Sequence, residues 1–163
     1  WERRPPVPVV EQSSLIETAR PEGPLSGIGS RLQQDLKPMP HAAEQLAKLS
    51  QFYYGILYVA TVPSGADAFA IGTDARNWLA THKFPPGFVL TLSPGEDALG
   101  AKIDALHEAG WKSVKTGIGR SKVFVDTFLR RRLEAIMMLD PASGEAPRKA
   151  KVAKDWKDVR KKL

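Results

Sequence analysis

Thr116–Asp126 reads TGIGRSKVFVD. Two glycines flank an isoleucine, an arginine and a serine follow, and a run suited to a helix begins. Backbone amides of a glycine-rich turn leading into a helix can cradle a phosphate, and the helix N-terminus adds a positive dipole. The spacing does not complete Gly-x-Gly-x-x-Gly, and no Lys-Ser/Thr pair closes it as in a nucleotide loop. SGIGSR, residues 26–31, falls short in the same way. His41, His82 and His107 are widely spaced in helical stretches without a companion carboxylate pattern, which points to surface or capping roles rather than metal ligation. The absence of cysteine removes thiolate metal sites, disulfides and cysteine nucleophiles.

The elements that must position any chemistry belong to a chain of 163 residues, enough for one domain with a substantial core. Its 42% hydrophobic and 26% charged residues are ordinary for a soluble globular protein. No apolar run approaches the roughly 20 residues of a membrane span. The prolines and β-branched residues of PPVPVV give a buried strand at Val7–Val10. Residues 11–39 show no sustained period. Strand signals recur in YGILYVAT, GFVLTL, WKSVKTGIG and EAIMML. Helical periods fall between them: HAAEQLAKL from His41, a longer segment placing Phe69, Trp78 and Leu79 on or near its core face, one with Leu99, Ile103 and Leu106 at helical spacing, and KVFVDTFLRRRL. Strand and helix alternate with short connections. That predicts an α/β fold: three layers, an open and mostly parallel sheet with helices on both faces. Ligands in such folds sit beyond the carboxyl ends of the strands. The places for chemistry are therefore Glu11–Leu15, Ala60–Ser64 and the loop holding Arg120.

The stretch PMPHAAEQLAKLSQFYYGILYVATVPSGADAFAIGTDARNWLATHKFPPGFVLTLSP resembles the middle of haloacid-dehalogenase-superfamily phosphatases. Its nearest resemblance is to the lipin-like and phosphatidylinositol-transfer-protein-associated branch, and it spans roughly Val7–Asp140. The resemblance implies a Rossmann-like domain with little or no cap. It also implies a four-part site: an aspartate nucleophile with a second aspartate two residues on, a phosphate-binding Ser/Thr after the second strand, a lysine, and an acidic loop completing a magnesium site. The matching positions are Glu11, Ser13, Ala60 with Thr61 beside it, Lys102 and Arg120. Of the directly aligned positions only Lys102 keeps the family's residue type, and a shift of one residue would put the hydroxyl of Thr61 in place of Ala60. Glutamate in place of the nucleophile sits off the in-line path, where misplacement by about 1 Å costs on the order of 100-fold in rate. Serine has no pKa useful for proton transfer. Val123-Phe124 stands where a second acid would lie, and Asp126 is a helical turn too far along. A carboxylate about 4 Å from a cation gains roughly 4 kcal/mol per charge pair at an effective dielectric near 20, and a guanidinium reverses the sign. On this alignment no magnesium is held and phosphoryl transfer is lost. Thr61, Lys102, Arg120 and Lys122 remain as candidates for binding an anion without chemistry.

Charge is concentrated at one end. Arg148–Leu163 carries eight Lys/Arg against two Asp/Glu, a balance of +6 that equals the net charge of the whole chain. Within it Val152, Trp156, Val159 and Leu163 fall at helical offsets. The expected organisation is an extended arm over 1–6, the α/β domain over 7–140, a linker over 141–147 and a basic amphipathic helix over 148–163. Such a helix suits a protein groove, an anionic membrane surface or RNA. The chain opens at Trp1 rather than methionine, so an upstream segment carrying any destination signal is expected to have been removed or left out. The functional expectation is a catalytically inactive subunit of a larger assembly, with a mitochondrial one favoured, docking through its termini without a cofactor. The alternatives are a magnesium-dependent phosphatase acting on a lipid or small phosphate ester, and a non-catalytic binder of phosphorylated lipid.

Overall fold

A computed structural model describes residues 7–16, 37–51, 55–62, 64–93, 97–139 and 146–163. The arm over 1–6, the SGIGSR stretch and most of the expected linker lie outside the described residues. The elements are β1 (Pro8–Glu11), a 3₁₀ turn (Gln12–Leu15), α1 (Ala42–Ser50), β2 (Leu57–Thr61), α2 (Ala68–Thr81), β3 (Phe88–Leu92), α3 (Ala98–Glu108), β4 (Thr116–Gly119), α4 (Lys122–Arg130), β5 (Glu134–Met138), β6 (Lys151–Ala153) and α5 (Trp156–Lys162).

The six strands form one sheet in the order β3-β2-β1-β4-β5-β6, and every pairing is parallel. Alternation along the strands separates two cores. Val10, Tyr58, Ile118, Ile136 and Met138 face one side, with Leu46, Trp78, Trp156 and Val159 packed on them. Val9, Leu57, Val59, Ala135 and Met137 face the other, against Ile103, Val125 and Phe128. Period-2 burial on both sides is what a sheet covered by two helical layers requires. The expected α/β architecture with helices on both faces is thus the one observed.

Two sequence expectations are corrected. Residues 148–163 are not one helix, because β6 adds a sixth strand to the sheet and a turn then leads into α5. Val152 lies on β6 and is 38% exposed, whereas Trp156 and Val159 are fully buried in the protein's own core. The Trp156 indole N–H donates to the Ser14 carbonyl at 3.0 Å, tying the end of the chain to the loop after β1. Trp156 and Val159 therefore cannot dock a partner in this conformation, and the domain runs on past Asp140 to include the tail. Phe69, expected near the core face of its helix, is 76% exposed, while Trp78 and Leu79 are buried. TGIG, within the strand signal WKSVKTGIG, is strand β4, buried throughout. A Cβ on Gly117 would lie 2.5 Å from the Phe128 ring, and one on Gly119 2.5 Å from Phe124. The glycines let α4 lie close on β4 and do not cradle an anion.

Candidate functional site

Strand order reverses between β1 and β4, and the crevice beyond their carboxyl ends is where doubly wound folds place ligands. Glu11 closes β1 there and Arg120 follows β4, so the topology brings together two residues 109 apart in sequence. Their side chains are used in different ways.

Glu11 reaches across the crevice to the start of α4. One carboxylate oxygen accepts the backbone N–H of Arg120 at 2.8 Å and that of Ser121 at 3.0 Å. The other accepts the Ser121 hydroxyl at 2.7 Å. Ser121 is the N-cap of α4, and its hydroxyl oxygen also accepts the Phe124 N–H at 3.3 Å. A helix start leaves several amides without intrahelical partners and carries the positive end of the dipole. Glu11 supplies the anion for it, from another element. The extra methylene of glutamate lets it span this gap.

Arg120 points the opposite way. The residue is 4% exposed, and its Nη1 donates to the carbonyls of Ser13 at 3.1 Å and Ile16 at 3.3 Å. The guanidinium therefore clamps the 3₁₀ turn that carries Ser13, from within. It is not a solvent-facing point charge, which corrects its candidacy as an anion binder. The buried Ser13 hydroxyl and the Gln12 amide nitrogen beside it have no hydrogen-bond partner.

The other candidates are more scattered. Ala60 is buried inside β2, and Thr61 ends that strand exposed at the carboxyl edge of the sheet. Lys102 lies on the exposed side of α3, and among the described residues no hydrogen bond or ion pair joins it to Glu11. Lys122 is exposed at the first position of α4, beside Val123, which is 75% exposed. Leu163 is 39% exposed at the end of α5. His41 stands at the N-cap position of α1 without a side-chain capping bond and lies 3.5 Å from Glu44, and the His107 ring meets the Val114 carbonyl at 2.7 Å.

Ser121 was missed by reasoning from a phosphatase pattern. Its signal was present, since a serine directly before the apolar run KVFV marks a helix N-cap.

The residues do not fit a magnesium ion. Such an ion favours carboxylate and phosphate oxygens in near-octahedral geometry. Among the described residues the crevice offers one carboxylate, already holding three donors, and the nearby Ser13 and Ile16 carbonyls already accept from Arg120. Among the described residues no group of three His, Cys, Asp or Glu is placed to hold a metal.

This combination of parallel sheet order, crevice and post-strand turn defines a Rossmann-like α/β domain. By sequence, neither a protein-family model nor a curated protein matches the chain. Solved structures do match its fold. An uncharacterized protein from Listeria monocytogenes serotype 4b is similar at a TM-score of 0.68 and 16% identity, over 97% of this chain and 96% of that one. D,D-heptose 1,7-bisphosphate phosphatase from Burkholderia thailandensis matches at 0.59 and 12%, over 96% and 97%. The L-2-haloacid dehalogenase PA0810 matches at 0.53 and 14%, over 80% of this chain and 60% of that one. The fold is that of the haloacid-dehalogenase-like proteins.

Proposed function

We propose that this is a haloacid-dehalogenase-like domain that has given up phosphoryl transfer and serves as a structural or accessory subunit of a larger assembly. The observation that carries the reading is the state of Glu11. A nucleophile needs a lone pair aimed at an incoming phosphorus, and here three donors at the start of α4 turn both carboxylate oxygens toward the helix and occupy most of their lone pairs. The second position, Ser13, has no acid–base capacity, and Arg120 supplies no carboxylate and turns its guanidinium into the 3₁₀ turn. What remains of the site holds the fold together. The narrower kinship with the lipin-like branch rests on the central sequence stretch alone, and a mitochondrial setting rests on composition.

Exposed apolar side chains suit a subunit role. Phe88 and Trp111 stack edge to face at 5.9 Å and remain 66% and 37% exposed. Phe88 begins β3, an edge strand of the sheet, and uncovered edges of this kind readily accept partners. The chain is expected to co-purify with other proteins from its native source. The test of the catalytic half is hydrolysis of a generic aryl phosphate with added magnesium, expected at the rate of buffer alone. Magnesium-dependent turnover abolished by Glu11→Ala would establish the phosphatase reading instead.

A further inference from the structure

We propose that the edge of the domain formed by β6 and α5 is a docking surface for the phosphate backbone of a duplex nucleic acid. The proposal does not depend on the reading of Glu11, which lies at the crevice between β1 and β4.

The charge is fixed in place by the fold. All eight Lys/Arg between Arg148 and Lys162 are exposed, while Trp156 and Val159 anchor the same segment in the core. Outside this segment the chain has sixteen Lys/Arg and sixteen Asp/Glu (24 − 8 and 18 − 2), so the positive excess sits here. The two acids of the segment are already engaged with backbone. Asp155 accepts the Asp158 N–H at 2.7 Å, and Asp158 accepts the Lys154 N–H at 3.2 Å, an arrangement that starts α5. Among the described residues one ion pair touches this edge, Lys151 with Glu134 at a loose 4.0 Å. Lys151 also donates to the Lys162 carbonyl at 3.1 Å, holding strand and helix end together. Exposed Arg130 and Arg132 just before β5, the strand next to β6, extend the positive field.

A concentrated, sparsely neutralised set of cations on a rigid edge matches a regular polyanion. Two features choose among polyanions. Membrane-surface helices insert an apolar face beneath the headgroups. Here the largest apolar residues of the segment are spent on the protein's own core, leaving Val152 and Leu163 partly exposed. Single strands are gripped by stacking bases on exposed aromatics. The exposed aromatics of the described residues, Phe69, Phe88 and Trp111, lie on α2, on β3 and just after α3, none of them on this edge. Among the described residues this edge carries cations and no exposed aromatic, a surface that reads the phosphates of a duplex independently of sequence.

The test is fluorescence anisotropy of the full chain with RNA and DNA duplexes of about 20 base pairs over a salt series. An unstructured single strand, phosphatidylserine vesicles and an acidic peptide serve as competitors. Duplex binding is expected to weaken linearly in log Kd against log salt. Lys157→Gln with Lys161→Gln should flatten that slope by about 2, since each lost phosphate contact removes about 0.9, and weaken binding by about tenfold. Arg76→Gln with Lys83→Gln removes the same charge from α2 and the turn after it, and should leave binding unchanged. Tighter binding to the single strand, to vesicles or to the peptide than to the duplex would overturn the proposal. So would no duplex binding, or equal loss in the two double variants.

Discussion

One methylene separates glutamate from the aspartate that a phosphatase would carry at the end of β1, and it changes what the side chain can touch. Glu11 bridges from one strand to the amides that open a helix after another, and Ser121 serves the same cluster as hydroxyl donor and N-cap. Glu11→Asp should retain the charge and lose the reach, and urea denaturation should show it less stable than the parent by about 1–2 kcal/mol. Ser121→Ala removes a donor and a cap together and should cost about 1–2 kcal/mol in the same measurement. Arg120→Met strips the donor from the Ser13 and Ile16 carbonyls and should cost about 2–3 kcal/mol. A pH effect belongs to Tyr58, whose hydroxyl donates to the Pro85 carbonyl at 2.7 Å. Burial raises its pKa above the usual value. Its folded-state pKa exceeds the unfolded one, so this contribution to stability is complete below about pH 10 and is lost as pH rises further. Comparing urea midpoints from pH 7 to 11, Tyr58→Phe should be less stable at neutral pH yet lose less than the parent above pH 10.

At the scale of elements the sequence was most legible where burial and local pattern agree. YGILYVAT holds β2, FVLTL is β3, and the spacing of Leu99 and Ile103 locates α3, because apolar periodicity directly reflects which side faces a core. The tail failed for a definable reason. Val152, Trp156, Val159 and Leu163 share helical offsets, but a strand of three residues carries too little period to announce itself, and the turn at Lys154-Asp155 breaks the apparent stripe. A better clue was DWKD, whose two aspartates bond back to the backbone at the start of α5 much as a capping box does. Phe69 failed because it sits in the first turn of α2, past the reach of the sheet. TGIG was legible as a strand, and its glycines proved to be spaced for packing α4 against β4. Two predictions belong here. Trp156→Ala should cost about 3–5 kcal/mol by chemical denaturation, as for a fully buried aromatic with a hydrogen bond to Ser14. Gly117→Ala should cost about 1–3 kcal/mol through collision with Phe128, read as a lowered thermal midpoint.

Across the whole molecule, the crevice beyond the carboxyl ends of β1 and β4 is bridged by side chains from several elements. β1, the 3₁₀ turn, the start of α4 and the chain's last helix are cross-linked through Glu11, Arg120, Ser14 and Trp156. Sequence placed Glu11 and Arg120 at the crevice, since strand ends can be counted, but not Ser121. It did not reveal how they are bonded, because contacts between residues more than 100 positions apart depend on how α4 docks. The central claim is that the Glu11 carboxylate is a structural clasp and not a nucleophile. The unfolding free energy of Glu11→Ala in urea, measured with EDTA and again with magnesium, tests it most directly. Leaving the amides of Arg120 and Ser121 and the Ser121 hydroxyl without their acceptor should cost about 2–4 kcal/mol, identically in both buffers. Stability unchanged or raised by Glu11→Ala, or a parent protein stabilised by magnesium only when Glu11 is present, would contradict the account.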